Sequence, residues 1–490
     1  MASTQNEIYE RARLARDPRF DGRFFIGVRT TGIYCRPICP ANPPKSENVS
    51  FFPTAAAAAE AGYRPCLRCR PETAPGTPAW AGTSTTVQRG LRLIANGALD
   101  EGSIESLSDR LGVTSRHLRR LFRKHLGASP QTVAQTQRLH FAKRLIDDTR
   151  LPLSRVAEAA GYGSIRRFND AFLNSYGRAP GALRKLREEL PSEDGAAMSV
   201  TLSYRQPFDW PALLAYLAPR ATPGVEVVEA DSYRRTVAFG DSKGMIEICP
   251  EPRRDRLRMT LHGVTTANLF QSVQRARTML DLDAPVDDIA RALARDRLLA
   301  RRLESLPGIR VPGSWDGFEL AVRAILGQQV SVAGATTLAG RLAEAYGEPL
   351  ESAHDARSGG PALLFPTPRR LAKAPLEEIG VIGSRASAIR SLARMVLAGD
   401  LDFDDAQDEA AFVARITSIK GIGEWTAQYL CMRVLKNPDA FPATDLGLRK
   451  AFEPARRLAA GELSLMAEDW RPWRAYAAML LWQNSNTKGG

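Results

Sequence analysis

Four cysteines near the start of the sequence have the residue type and the spacing of a zinc site. Cys35 and Cys39 form a C-x3-C pair, and Cys66 and Cys69 form a C-x2-C pair. Two short thiolate pairs, separated by the length of a small domain, can hold Zn2+ in a tetrahedral arrangement. We therefore predict one Zn2+ bound by the four cysteines. The spacing leaves open whether the ion is structural, which is the usual case, or takes part in chemistry.

A second stretch that could take part in chemistry is a glycine hairpin late in the chain. Gly421 and Gly423 would let the backbone approach a phosphate, and the helix that follows would supply N–H groups. Asp445 lies 22 residues after Gly423. A fixed carboxylate beside such a turn can stabilise positive charge that develops during a reaction. A plain turn and a helix cap are the alternative interpretations of these residues.

Composition limits what kind of protein can position these groups. The 490 residues suffice for roughly three or four domains, and 44% hydrophobic with 25% charged residues is typical of a globular protein. No apolar run reaches the ~18 residues of a membrane span, and the amino terminus lacks a signal-peptide core, so we expect a cytoplasmic protein without a membrane partner. The net charge of +13 favours a nucleic-acid partner. Residues 83–190 contain 19 Lys and Arg but only 10 Asp and Glu, which gives this segment a net charge of +9.

The sequence divides into segments that differ in composition. We predict a multidomain chain, mainly helical with α+β parts, and we read linkers or loops at 71–85, 188–199 and 351–361. The predicted domains are a small zinc domain at 1–75, a basic domain with paired helix-turn-helix units at 84–188, a small α/β domain at 200–282 and a helical domain at 283–490.

The zinc segment resembles the N-terminal domain of bacterial Ada proteins over residues 7–73. Arg29-Thr-Thr-Gly-Ile-Tyr-Cys-Arg-Pro and Ala61-Gly-Tyr-Arg-Pro-Cys-Leu-Arg-Cys-Arg-Pro carry the match. The resemblance implies that Cys35 accepts a methyl group from a DNA methylphosphotriester, once per molecule. Loss of one negative charge beside DNA should then raise affinity. The arginines that we expect at phosphates are Arg29, Arg36, Arg64, Arg68 and Arg70.

Residues 104–129 predict a helix-turn-helix in which Gly112 makes the turn and Thr114 or Ser115 caps the second helix. The pattern recurs from residue 156 with Gly161 at the turn, after a connecting helix near 133–147. Two such units, ending in Phe-x-x-x-x-Gly-x-x-Pro, resemble an AraC-type DNA-binding domain. That resemblance implies promoter DNA as a partner, with RNA polymerase as a further one. The predicted DNA contacts are Arg116, Arg119, Arg120, Arg166 and Arg167.

The hairpin with its following Pro-x-x-Asp segment resembles the helix-hairpin-helix DNA glycosylases. With residues 318–332, 470–482 and the α/β region, the match to AlkA-type 3-methyladenine DNA glycosylases covers about 200–485. It implies flipping of an alkylated purine out of double-stranded DNA, with Asp445 as the catalytic carboxylate. The remaining roles that it implies are DNA contact by Gly421 and Gly423, a base pocket of Trp425, Tyr429 and Trp482, and a wedge at Gln329.

Two departures from these families refine the prediction. Strand-cutting glycosylases carry a lysine where Trp425 stands, so we predict a monofunctional enzyme. Relatives carry leucine where Gln329 stands, which changes the wedge. The chain also lacks the Pro-Cys-His-Arg of O6-methylguanine methyltransferases, so we expect no such repair; Cys249 and Cys431 are interpreted as buried small residues.

The preferred interpretation is thus a monomeric DNA-damage sensor and transcription regulator fused to a glycosylase. Two alternatives stay open. In the first, the chain is a regulator whose glycosylase fold is non-catalytic. In the second, the chain is a glycosylase whose zinc is structural and whose helical domain only docks on DNA.

Overall fold

A computed structural model gives the structure of the chain. It describes residues 2–75, 85–95, 97–100, 102–184, 197–252, 255–350, 360–403, 409–452 and 457–483. Contacts between Cα atoms divide the chain into two compact units. The first comprises Met1–Arg205, Asp255–Thr260 and Val264–Gln274, and the second comprises Gln206–Arg254, Leu261–Gly263 and Arg275–Gly490. Within the described ranges, no helix has both the length and the apolar character of a membrane span.

The first unit begins with a small sheet that carries the cysteines. Phe25–Val28 pairs antiparallel with Ile33–Cys35 on one side and with Val49–Phe52 on the other. Arg64–Pro65 runs parallel to Ile33–Cys35, so the first cysteine and the chain before Cys66 lie on adjacent strands. The helices Ala2–Ala15 and Ala55–Glu60 accompany this sheet. Phe24, Ile26 and Ala12 form a core on one face.

Helices make up most of the rest of the first unit, and they follow the predicted paired motif. Gly112 and Gly161 adopt the left-handed conformation, with φ of +68° and +73°, that each tight turn requires. Thr114 caps the second helix of the first motif by accepting from the His117 N–H, and Ser164 caps its counterpart. The helices are Thr85–Ala95, Ile104–Arg110, Ser115–Leu126, Pro130–Asp148, Leu153–Ala159, Ile165–Tyr176 and Pro180–Arg184. Strand Ala197–Ser203 lies beside strand Arg256–His262.

The connecting helix Pro130–Asp148 packs against the zinc segment through buried polar contacts. The Tyr34 hydroxyl lies 2.8 Å from His140 Nε2. Arg70 forms an ion pair with Asp147 at 2.8 Å, and Lys143 lies 3.7 Å from Glu72. Burial lowers the pKa of His140 to about 3, so its ring is neutral near pH 7. The zinc segment and the helical segment therefore form one unit instead of separate bodies.

Antiparallel strands follow the first helix of the second unit. Glu226–Val228 pairs with Tyr233–Phe239, which pairs in turn with Ser242–Pro250 over seven residues. Helix Trp210–Leu217 precedes them, and Asp209 caps it by accepting from the Ala212 N–H.

Helices form the remainder of the second unit and surround an apolar core that includes Leu326, Leu392, Leu430 and Leu480. The hairpin helix begins at Glu424, and Gly423 occupies its cap position. The helices are Leu269–Met279 (shared with the first unit), Val286–Leu293, Arg297–Ser305, Gly317–Leu326, Val332–Tyr346, Pro368–Leu371, Gly383–Ala398, Glu409–Thr417, Glu424–Arg433, Leu446–Lys450, Ala460–Met466 and Arg474–Gln483. The short strands Glu348–Pro349 and Leu363–Leu364 pair with each other.

The predicted fold class, mainly helical with α+β parts, is confirmed. Helices Gly317–Leu326 and Val332–Tyr346 are separated by residues 327–331. Most of the predicted linkers at 71–85, 188–199 and 351–361 lies outside the described residues. The four domain ranges stay predictions, since contacts alone divide the chain into two units.

Candidate functional site

The four predicted zinc ligands lie together in the first unit. All four Sγ atoms lie within 4.8 Å of one another, and the cysteines are free of disulfides. A tetrahedron with Zn–S distances of about 2.3 Å has edges of about 3.8 Å, so the cluster has the dimensions of a four-cysteine zinc site. The predicted cofactor, one Zn2+ on Cys35, Cys39, Cys66 and Cys69, is confirmed.

The sulfurs differ in their surroundings. A cavity of about 470 Å³ is lined by Cys35, Cys39 and Cys66, and by the exposed Arg64 and Arg68. Cys69 is buried and accepts a hydrogen bond from the Arg36 backbone N–H at 3.3 Å. Cys35 is half-buried, at the end of its strand. A DNA phosphate that enters this cavity would meet Cys35 among guanidinium groups.

Two of the predicted phosphate contacts have internal partners. Arg36 donates to the Asp21 carboxylate and, at 2.7 Å, to Thr73 Oγ1. Arg70 pairs with Asp147, as described above. Their guanidinium groups therefore hold the zinc segment together, whereas Arg29 is exposed. The roles of all these arginines at DNA stay predictions.

The second helix of each helix-turn-helix presents a basic outer face. In Ser115–Leu126, Leu118 and Phe122 are buried while Arg116 and Arg120 are exposed. Arg119 is half-buried and lies 3.8 Å from Glu105. In the second motif Arg166 and Arg167 are exposed at the start of their helix. Helices with this distribution can enter a major groove, so the predicted contacts are available.

The glycine hairpin of the second unit is open to a ligand. Gly421 has φ of +96°, in the region that favours glycine, and both hairpin glycines are exposed. A Cβ built at Gly423 meets no atom of the described residues within 4 Å. The Gln328 side chain donates to the Gly421 carbonyl at 2.9 Å and thereby ties the hairpin to the loop of Gln329. Gln328 was not among the predicted site residues.

Asp445 is held by two indole groups. Trp425 Nε1 donates to Asp445 Oδ2 at 2.7 Å, and Trp482 Nε1 donates to Oδ1 at 2.8 Å. Oδ1 also accepts from the Leu448 N–H at 2.9 Å, so Asp445 caps a short helix as well. The helix-cap interpretation is therefore correct, and Asp445 also lines the cleft, where its catalytic role stays a prediction. Hydrogen bonds to both oxygens fix the position of the carboxylate.

The three predicted pocket aromatics lie in one cleft with Asp445. Trp425 and Tyr429 stack with ring centroids 5.4 Å apart and planes 11° apart, and Tyr429 meets Trp482 edge-on at 6.3 Å. The cleft has a volume of about 1140 Å³. A flipped nucleobase fits this volume, and the aromatic faces would stack on it.

Gln329 lies at the rim of the same cleft. It is exposed and has φ of +57°, which is uncommon for a residue with a side chain. Strain of this kind is concentrated at functional sites. Val330, beside it, is also exposed.

Polar residues that were not among the predicted site residues lie at the inner end of the cleft. Arg433 Nη1 donates to the hydroxyl groups of both Tyr216 and Tyr429. Arg323, which also lines the cleft, forms an ion pair with Glu226 at 2.8 Å. Burial alone would raise the pKa of Glu226, but Arg323 and Arg235 lower it to about 2. No local sequence signal marks Tyr216, which lies 217 residues from Arg433.

The remaining cysteines lie apart from the cluster. Burial raises the pKa of the Cys431 thiol, which suits the interpretation of an inert core residue. Cys249 is half-buried, so the expectation that it is buried was wrong.

Four family models match successive parts of the chain. They are the metal-binding domain of Ada (residues 9–72), a helix-turn-helix domain (107–186), the AlkA N-terminal domain (199–316) and the HhH-GPD superfamily of base excision DNA repair proteins (322–474).

Similar proteins agree with these matches. A Mycobacterium tuberculosis (strain H37Rv) protein named "Probable bifunctional transcriptional activator/DNA repair enzyme AlkA" is 41% identical over 96% of this chain and 95% of its own length. The Escherichia coli (strain K12) "DNA-3-methyladenine glycosylase 2" is 34% identical over 58% of this chain and 96% of its own. The solved 3-methyladenine DNA glycosylase from Archaeoglobus fulgidus shares the fold, with a TM-score of 0.52 and 21% identity, over 60% of this chain and 99% of that one. The chain therefore belongs to the family of AlkA-type bifunctional transcriptional activator/DNA repair enzymes.

Proposed function

We propose that this protein responds to alkylation damage with two chemistries. One is monofunctional release of alkylated purines such as 3-methyladenine from double-stranded DNA. The other is a single methyl transfer from a methylphosphotriester to Cys35, which strengthens promoter binding by the helix-turn-helix units. The observation that carries the proposal is the placement of Asp445, held by two indoles in an aromatic cleft beside the open glycine hairpin.

The glycosylase step follows from what these residues offer. The hairpin N–H groups would bind the DNA backbone, and the flipped base would stack against Trp425 and Tyr429. As the bond between base and sugar breaks, the base takes the electron pair and the sugar becomes positive. The Asp445 carboxylate would stabilise that charge until water adds to the sugar. Trp425 occupies the position at which strand-cutting relatives carry a lysine, so no Schiff base would form there.

The methyl transfer follows from the cysteine cluster. Zn2+ on four cysteines keeps the thiolates ionised at neutral pH. Cys35 Sγ would attack the methyl carbon, the new S–CH3 bond would form as the CH3–O bond breaks, and the phosphodiester would leave with the electron pair. Arg64 and Arg68 line the cavity in which the phosphate would lie. The product thioether is no longer nucleophilic, so each molecule would react once.

Duplex DNA with radiolabelled methyl groups tests both chemistries in one reaction. We expect label in free base and label in the zinc-loaded protein. Label in base alone would leave a glycosylase with a structural zinc. Label in protein alone would leave a sensor and regulator without glycosylase activity.

Trp425→Phe tests the positioning of Asp445. The variant retains an aromatic ring for stacking but loses the N–H that donates to Asp445 Oδ2. A hydrogen bond to a charged group is worth about 1.5–3 kcal/mol, so we expect the single-turnover rate of 3-methyladenine release to fall about 10- to 100-fold.

Trp210→Phe is the matched control. It removes an indole hydrogen bond, to the Asp231 carbonyl, from a tryptophan that does not line the cleft. We expect release within about twofold of wild type. Equal rate losses in the two variants would contradict a specific role for the indole of Trp425.

Gln329→Ala tests the wedge. Loss of the side chain removes the group that would fill the space left by the flipped base, so we expect release from duplex DNA to fall about tenfold. Release from single-stranded DNA should change little, because no pair has to open. Glu344→Ala, an exposed change in the helix that follows, is the control. Equal loss on both forms of DNA would contradict the wedge role.

A further inference from the structure

The inner end of the base cleft differs in chemistry from its aromatic walls. Tyr216 lines the cleft there and is 8% exposed. Its hydroxyl oxygen accepts a hydrogen bond from Arg433 Nη1 at 3.1 Å. The ring of Tyr216 also lies between two cations, with the Arg220 guanidinium 4.1 Å and the Arg433 guanidinium 5.5 Å from its centroid.

Arg433 is built into this position. It is 6% exposed and donates to the carbonyl oxygens of Pro312 and Gly313 as well as to the two tyrosines. A guanidinium stays protonated in proteins, so this end of the cleft holds a fixed positive charge. The half-buried Arg323 also lines the cleft, but its charge is neutralised by its ion pair with Glu226.

The charge and the hydroxyl both bear on which base is bound. A fixed cation at the inner end of the cleft repels a base that is itself cationic, and burial strengthens the repulsion. A phenol offers one O–H donor and accepts through its oxygen. Arg433 and the Tyr429 hydroxyl both hydrogen-bond to the oxygen of Tyr216, so the remaining capacity of the Tyr216 hydroxyl is to donate. Its natural partner is an acceptor on an uncharged base.

We propose that Tyr216 is a specificity-determining residue, whose hydroxyl, supported by Arg433, selects neutral lesion bases that present a carbonyl oxygen to the inner end of the cleft. The inference rests on the proposed glycosylase function and deepens it. Trp425, Tyr429 and Trp482 stack on any base and favour cationic ones, so the walls supply general affinity. The inner end then adds a preference that the walls cannot provide.

Hypoxanthine and 3-methyladenine form a suitable pair of substrates for the test. Hypoxanthine is neutral and carries a carbonyl oxygen at C6, whereas 3-methyladenine in DNA is cationic and carries an amino group there. Tyr216→Phe removes the hydroxyl and retains the ring between the arginines. We expect the single-turnover rate of hypoxanthine release to fall about tenfold relative to that of 3-methyladenine, as for one lost hydrogen bond.

Tyr346→Phe is the matched control, because that hydroxyl donates to the Pro375 carbonyl on the exposed surface. It should leave both rates within about twofold of wild type. The unfolding temperature of each variant separates loss of fold from loss of specificity. A ratio of the two rates that stays unchanged in Tyr216→Phe would overturn the proposal, as would wild-type protein that releases 3-methyladenine but no hypoxanthine. Wild-type protein that releases neither base would instead refute the proposed function itself.

Discussion

Asp445→Asn is expected to lower the single-turnover rate of 3-methyladenine release by about 10²–10³-fold or more, the usual effect of removing a preorganised electrostatic group from an active site. The substitution conserves shape, and asparagine is as good a helix cap as aspartate. What it removes is the negative charge that would face the sugar as the base leaves. Binding of lesion DNA should persist, because the hairpin and the aromatic walls remain.

The surroundings of Asp445 add a second expected effect. Both of its oxygens accept from indole N–H groups. An asparagine side chain has only one oxygen, so its amide nitrogen would face one indole donor without a hydrogen bond. We expect a loss of about 1–3 kcal/mol in the free energy of unfolding, which is too small to unfold a domain of ordinary stability.

The chain contains a closely matched control for Asp445→Asn. Asp296 caps the helix Arg297–Ser305 and accepts from Trp470 Nε1 at 3.1 Å, outside the cleft. Asp296→Asn therefore makes the same chemical change, at a helix cap with an indole donor, away from the proposed chemistry. It should lose similar stability and retain base release. If Asp445→Asn released base as fast as Asp296→Asn, Asp445 would be a structural cap and the regulator with a non-catalytic fold would be favoured.

The cysteine pairs and the glycines of the hairpin and turns were predictable, because the residues of each motif lie close together in the sequence. The two cysteine pairs, the hairpin glycines and the turn glycines each follow from a few adjacent residues, and the structure brings the four cysteines together. The two glycines of the helix-turn-helix motifs have the positive φ that the sequence predicts. Few residue types other than glycine adopt a positive φ readily, so such positions are marked in the sequence.

Contacts between distant segments were not predictable in the same way. The indole bonds to Asp445 join residues 20 and 37 positions apart, and their geometry depends on how three helices pack. Tyr216 contacts Arg433 because helix Trp210–Leu217 lies beside the cleft in the folded second unit. Arg36, expected at DNA from its position beside Cys35, has an internal partner in Asp21. Charge alone does not distinguish an arginine with an internal partner from one that faces DNA.

The close packing of the zinc segment on helix Pro130–Asp148 bears on how damage would be signalled. The sequence suggested that linkers separate independent domains, yet Tyr34, next to Cys35, contacts His140 of that helix. A change of charge at Cys35 would thus occur within a unit that also holds the DNA-reading helices. Reduced repulsion of phosphate would then act on the whole unit at once.

Cys35→Ala is expected to abolish methyl acceptance. Wild-type protein should take up about one methyl group per chain from a duplex with methylphosphotriester linkages, because the thioether product cannot react again. The variant should take up none, since alanine has no nucleophile and we propose Cys35 as the sole acceptor among the three cysteines that line the cavity. Uptake by the variant would move the acceptor to Cys39 or Cys66. Cys249→Ala, which changes a half-buried cysteine outside the cluster, is the control and should accept methyl as wild type does.

Removal of a zinc ligand can also weaken the fold, so the variant alone would not be decisive. Mass spectrometry of methylated wild-type protein supplies an independent test, because it locates the added methyl group on a peptide. Methyl on Cys35 and an unmodified Cys249 would support the assignment even if Cys35→Ala lost zinc. Methyl on Cys39 or Cys66 would place the acceptor elsewhere in the same cavity. A fully zinc-loaded wild-type protein with no added methyl would make the zinc purely structural, and the first unit would then only dock on DNA.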